Sequence, residues 1–233
     1  MSNNFRMYLG FSLLLTCSTP AFGKSVPVQN LKSNLQITLR IHDYVHIQPE
    51  TLARAEAVSS EILHDAGVEV FWLNCDTALP VEKREPACAR PLGRLDFVLN
   101  LVDRIQLLSP KLREIAMGLA MVPPDGSEGS LAYLSTRQAT GVAHEYSTSL
   151  EIVLGLGAAH ELGHLLLGED AHTPSGLMKA RWSNDELKHW SSGSLTFTSE
   201  QARRIQSNLL VREEEALKSP GEIQIAKATG TEH

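Results

Sequence analysis

Apolar and polar residues alternate from Leu35 to Ile41 (LQITLRI), the period of a strand with one buried face. The period then changes. Pro49-Glu50 opens a segment in which Leu52, Ala55, Val58, Ile62 and Leu63 recur at helical spacing. Gly67 stands where a C-terminal cap belongs, so the spacing predicts an amphipathic helix of about five turns ending at Ala66. Val68 to Leu73 (VEVFWL), Leu95 to Val102 (LDFVLNLV) and Ile115 to Val122 (IAMGLAMV) read as three further strands, the last with an internal glycine. Pro123-Pro124-Asp125-Gly126 is a turn, and Ser130 to Thr136 (SLAYLST) is a short run with polar flanks, expected at a sheet edge.

The most apolar stretch follows. Thr148 with Glu151 three residues later has the form of a capping box, so a helix is expected over about Ser149 to Leu167, ended by Gly168 in a left-handed cap. Leu150, Ile152, Val153, Leu154, Leu156, Leu162, Leu165 and Leu166 cover nearly every side of it, the pattern of a helix in the middle of a domain. His160-Glu161 interrupts the apolar run and argues against a membrane span. Ser183 to Trp190 and Thr198 to Leu210 are expected as short helices, and a polar tail from about Lys218 as disordered. Strand, helix, several strands and a buried helix, in that order, make an α+β domain: a mixed sheet backed by helices.

Composition adds limits. A chain of 233 residues, 42% hydrophobic and 21% charged, suits one well-buried core better than two. The net charge of -6 is spread over both signs without a basic stripe, which excludes nucleic acid and anionic membrane surfaces as expected partners. The start of the chain is distinctive: Met1 to Arg6 carries positive charge, Met7 to Thr16 is apolar, and Ala21-Phe22-Gly23 offers small residues for cleavage before Lys24. The expected organisation is therefore a signal peptide over 1–23, one domain over 24–217 and a tail over 218–233, in a secreted or periplasmic protein with no transmembrane helix once the leader is gone. Too little chain lies between Gly23 and the first strand for an inhibitory pro-domain. Leu14-Leu15-Thr16-Cys17 is a poor lipoprotein box because Thr precedes the cysteine, so an anchor at Cys17 is the lesser reading. Loss of Cys17 would leave Cys75 and Cys88, an even pair for which a disulfide is expected in an oxidising compartment, with two free thiols as the alternative.

The chemistry is concentrated in Ala159 to Met178, AHELGHLLLGEDAHTPSGLM. On a helix, His160 and His164 stand one above the other on a single face, flanked by Glu161. Two neutral imidazoles can hold Zn2+ while the adjacent carboxylate takes a proton from an activated water, which is why H-E-x-x-H suits a zinc hydrolase. Left without a shared partner inside an apolar helix, these three groups would cost several kcal/mol.

With this motif on a buried helix behind a strand-helix-strand layout, the chain resembles the zincin metallopeptidases, and among them the metzincins. The likeness in layout covers most of the chain beyond the leader; the likeness in motif covers only Ala159 to Met178. It implies a single zincin-like domain with a twisted mixed sheet, a backing helix, a buried active-site helix and a small C-terminal helical subdomain. It also implies a zinc-dependent endopeptidase that acts on a peptide or protein, with Glu161 as general base. The family pattern H-E-x-x-H-x-x-G-x-x-H is not matched strictly, because Gly168 comes one residue late and His172 one later again. Strict counting puts the third ligand at Asp170, a residue type that one branch of the family uses there. Against this, His172 and the following Thr173-Pro174-Ser175-Gly176-Leu177-Met178 resemble the family's third histidine and the turn whose methionine underlies the metal. His172 is the preferred third ligand, Asp170 its rival, and Met178 the candidate turn methionine. The SLAYLST run, as an exposed edge, would take an extended peptide by strand addition. His144 and Tyr146 read as structural, within reach of a cleft, and His42, His46, His64 and His189 as surface or packing residues. Two other readings share the motif: a zinc amidase acting on a non-protein amide, and a non-catalytic exported zinc protein that binds a partner.

Overall fold

The structure, a computed structural model, describes residues 35–75, 85–105, 116–123, 128–168 and 171–218. The expected signal peptide with Cys17, the tail beyond Lys218 and Asp170 lie outside the described residues.

Strand β1 (Leu35–Asp43) is followed by helix α1 (Pro49–Asp65), β2 (Val68–Asn74), β3 (Asp96–Val102), β4 (Gly118–Met121) and β5 (Leu131–Ser135). Four further α-helices follow among the described residues: α2 (Thr136–Glu145), α3 (Leu150–Leu167), α4 (Asn184–Lys188) and α5 (Ser199–Lys218). The sheet runs in the order β2-β1-β3-β5-β4. β1 pairs in parallel with β2 and β3, and β3 in parallel with β5, while β4 is antiparallel to β5. A mixed sheet with a backing helix, a buried helix carrying H-E-x-x-H and helices after it is the α+β arrangement expected from the sequence.

The alternation in β1 buries Leu35, Ile37, Leu39 and Ile41. Arg40, on the other face, is buried as well. Its guanidinium donates to the Arg90 carbonyl at 2.6 Å and pairs with Asp96 at 2.6 Å, which satisfies a charge that burial would otherwise make costly. Helix α1 packs along α3. They pack tightly at Gly155, where a Cβ would stand 2.6 Å from the Ala55 carbonyl oxygen and from Val58 Cβ. Leu154, Leu156, Leu162 and Leu166 of α3 are fully buried, each stabilising the fold by about 2 kcal/mol relative to exposure. By length and composition α3 could cross a membrane, but most of it is buried inside this domain. The C-terminal end of α3 is tied to α5 through Arg212, which donates to the carbonyls of Leu165 (3.1 Å) and Gly129 (3.2 Å) and lies over the Phe97 ring. The helix that carries the motif is thus clamped at both ends.

Several sequence expectations need correction. The SLAYLST run is an inner strand, with β3 on one side and β4 on the other, and β4 holds the edge. The polar residues at its end mark a helix start: Ser135 caps α2 and accepts a hydrogen bond from Gln138 N–H. Helix α2 itself was not expected. The box at Thr148 and Glu151 is displaced by one residue, because Ser149 is the N-cap and makes no side-chain capping bond. Glu151 faces Arg54 of α1 at 3.6 Å instead. Gly168 has positive φ (82°) but extended ψ (-158°), so it redirects the chain without the left-handed helical cap. Strand β4 begins at Gly118, α4 is a single capped turn continued by a 3-10 turn over Trp190–Ser192, and α5 extends to Lys218. Cys75 and Cys88 form the expected disulfide, with Cα atoms 5.6 Å apart.

Candidate metal centre

Helix α3 delivers His160 and His164 to one face, and the chain beyond Gly168 returns His172 to the same point. His164 Nε2 lies 3.1 Å from His160 Nε2 and 3.2 Å from His172 Nε2. All three ligand atoms fall within 4.8 Å of one another. Ligand nitrogens 2.0–2.1 Å from a tetrahedral zinc ion would be about 3.3 Å apart, close to the spacing seen here. Exposure rises from buried His160 through His164 to exposed His172, so the cluster opens to solvent on the His172 side.

The protonation of the first histidine is set by its partner. His160 Nδ1 is 2.9 Å from the Leu177 carbonyl oxygen, which can only accept, so Nδ1 carries the hydrogen and Nε2 presents a lone pair to the cluster. Burial lowers the His160 pKa to about 4, against the carbonyl bond that raises it, with His172 lowering it further. His164 is also lowered to about 4, by burial and then by the two neighbouring histidines. Three imidazole nitrogens this close, each with its lone pair turned inward, would suit a cation between them. The donor set therefore fits a metal ion.

Met178 is fully buried against α3 at Gly163. A Cβ on Gly163 would stand 2.5 Å from Met178 Sδ and 2.8 Å from Phe197 Cε1, so the small residue within the motif makes room for the methionine. The turn before Met178 is closed by Thr173 N–H donating to the Met178 carbonyl at 2.9 Å, and Leu177 N–H donates to Thr196 at 2.9 Å. Gly176 has φ 77° and would place a Cβ 2.8 Å from the Thr196 oxygen, so only glycine passes here without strain.

Glu161, next to His160 on α3, reaches the edge strand. Its side chain is 5% exposed and accepts a hydrogen bond from Ala120 N–H of β4. Burial raises its pKa to about 8, and the Ala120 bond opposes this only in part. A Cβ on Gly118 would lie 1.9 Å from Glu161 Oε1, so the carboxyl occupies the space that this glycine leaves. Gly118, Ala120, Gly163, the Leu177 carbonyl and Trp182 all belong to the site's surroundings and were not expected from the sequence. A glycine inside a strand or helix signals a close approach, and that signal was present at Gly118 and Gly163. The two backbone groups carry no such signal.

Elsewhere, His144 is exposed at the end of α2 and Tyr146 packs against the core. His64 pairs with Glu69 at 2.8 Å, His189 lies 3.3 Å from Asp185, and His42 is half-buried on β1.

No protein-family model matches the chain, and no curated protein sequence matches it. Among solved structures it is similar to archaemetzincin from Methanopyrus kandleri, at 24% identity and a TM-score of 0.47, over 76% of this chain and 98% of that one.

Proposed function

We propose that the protein is an exported zinc-dependent endopeptidase in which His160, His164 and His172 hold the metal and Glu161 is the general base. The observation that carries this reading is the convergence of three histidine nitrogens, with the buried carboxyl of Glu161 next to His160 on the same helix. Zinc bound there would polarise a scissile carbonyl and acidify a water. In the metal-free site burial favours the protonated form of Glu161; the charge of a bound cation would favour the carboxylate, which could then take a proton from the attacking water and pass it to the departing amine nitrogen. His160 is held by the Leu177 carbonyl in the tautomer that keeps Nε2 free for the metal. Met178 fills the space under the helix and fixes the distance between α3 and the turn after His172.

The substrate in this reading is a polypeptide. β4 is the edge strand next to Glu161, and an extended peptide laid along it by strand addition would pass the carboxyl. Export is supported by the leader pattern over 1–23 and by the Cys75–Cys88 disulfide, and the working domain is assigned to 24–217.

The test is hydrolysis of casein and of a quenched peptide library by zinc-loaded protein, with Glu161→Gln as the control. Wild type should cleave, while the variant should bind zinc equally and lose at least 100-fold in turnover. Equal cleavage by both proteins would remove Glu161 from the mechanism. One-to-one zinc binding without hydrolysis by either would favour the partner-binding reading.

A further inference from the structure

We propose that Trp182 is a positioning residue of the metal centre, holding the carbonyl that orients His160; this rests on the reading of the three histidines as metal ligands. The Leu177 carbonyl oxygen has two acceptor directions, and both are used. One takes His160 Nδ1–H at 2.9 Å and the other takes Trp182 Nε1–H at 2.9 Å. The indole also stands edge-on to the His160 ring, with centroids 5.7 Å apart and planes at 81°. One side chain therefore touches the first histidine directly and also secures its hydrogen-bond acceptor.

The neighbouring main-chain bonds explain why the indole matters. Leu177 N–H is held by Thr196 and the Met178 carbonyl by Thr173 N–H, so the turn is pinned on both sides of the peptide unit that joins Leu177 to Met178. Neither bond restrains the Leu177 carbonyl itself. Apart from His160, its donor is Trp182. The same peptide unit carries the Met178 amide, so one indole N–H steadies both the histidine's acceptor and the methionine beneath α3. Trp182 is only half-buried, and an N–H in that position would otherwise be free to face water. Beyond the ring lies a second brace. Ser183 and Glu186 form the capping box that starts α4, and Lys179 pairs with Glu186 at 2.7 Å, fixing the segment on either side of the tryptophan.

The experiment compares zinc affinity of the full chain and of Trp182→Phe by competition with a chromophoric chelator. It adds the visible spectrum of the cobalt-loaded proteins and the urea midpoint of the metal-free proteins. Phenylalanine keeps an aromatic ring and lacks the N–H. The zinc Kd should rise about tenfold or more, as for the loss of other partners that orient a metal ligand, and the cobalt bands should shift. A replacement of the indole by its sulfur isostere, benzothienylalanine, gives the same comparison if Trp182→Phe does not fold. A folded variant with wild-type Kd and an unchanged cobalt spectrum overturns the proposal, whatever its urea midpoint. Failure of the wild-type chain to bind zinc one-to-one would instead overturn the metal-site reading itself.

Discussion

Gly118 of β4 and Glu161 of α3 share one small volume, and a double-mutant cycle between them tests how the carboxyl is held. In Gly118→Ala the new methyl would overlap Glu161 Oε1 at 1.9 Å and Cδ at 2.3 Å, with Cγ at 2.6 Å. The three nearest atoms all belong to this one side chain, so either Glu161 leaves Ala120 N–H or β4 moves away from α3. Overpacking of this kind costs about 1–3 kcal/mol. In a Glu161→Ala background the obstructing atoms are gone. Replacing a strand glycine there should be neutral or stabilise by roughly 0.4–1 kcal/mol, through the lower entropy of the unfolded chain. The cycle should therefore show a coupling of about 1–4 kcal/mol, read from urea midpoints at constant slope, with chelator present so that metal linkage does not contribute. On the proposed function, zinc-loaded Gly118→Ala should retain the metal, since the atoms its methyl meets belong to Glu161 and to none of the three histidines, and should lose about 100-fold in peptide turnover because the base is misplaced. Equal costs of Gly118→Ala in both backgrounds, with a coupling below about 0.5 kcal/mol, would show that the carboxyl is not held by the edge strand.

What the sequence revealed, and what it hid, follows from the range of each interaction. The alternation in β1 and the helical spacing in α1 are local, and both elements lie where the pattern put them. So does α3, because an apolar surface on all sides needs no partner's identity to be recognised as buried. Strand order is not local. The run over Leu131–Ser135 reads as an edge because its ends are polar, yet Ser135 is polar in order to cap α2, and β4 reaches the edge by turning back antiparallel. The His160, Glu161 and His164 spacing was legible because one helix face sets it. His172 depended on a motif with two extra residues, and the return of its nitrogen to 3.2 Å from His164 becomes visible only once the turn to Met178 is folded. The Leu177 carbonyl was beyond reach, since every residue has one and only the fold determines which carbonyl faces a histidine.

The remaining tests concern protons, the disulfide and the third ligand. In metal-free protein Glu161 has its pKa raised from the ordinary 4.5 to about 8, so its contribution is complete below pH 4.5 and is lost as pH rises toward 8. His160 and His164, lowered from 6.5 to about 4, contribute fully above pH 6.5 and lose stability as pH falls toward 4. Between pH 6.5 and 8 only Glu161 acts among these three, so urea stability should fall by about 1.4 kcal/mol per pH unit and be nearly flat in Glu161→Gln; equal slopes would refute the assignment. Removing the Cys75–Cys88 bond, whose partners are 13 residues apart, should lower stability by about 3 kcal/mol, measured for Cys75→Ala/Cys88→Ala against wild type in the absence of reductant. For the third ligand, His172→Ala should weaken zinc binding far more than Asp170→Ala, because it leaves two nitrogens on one helix, whereas the loss of a nearby non-ligand acts only through what orients the others. His172 is also the most exposed of the three, so its removal should leave the urea stability of the metal-free protein almost unchanged and place the effect in the metal-bound state. If Asp170→Ala loses its zinc while His172→Ala keeps it, the strict spacing from His164 governs, and the 3.2 Å approach of His172 reflects packing alone.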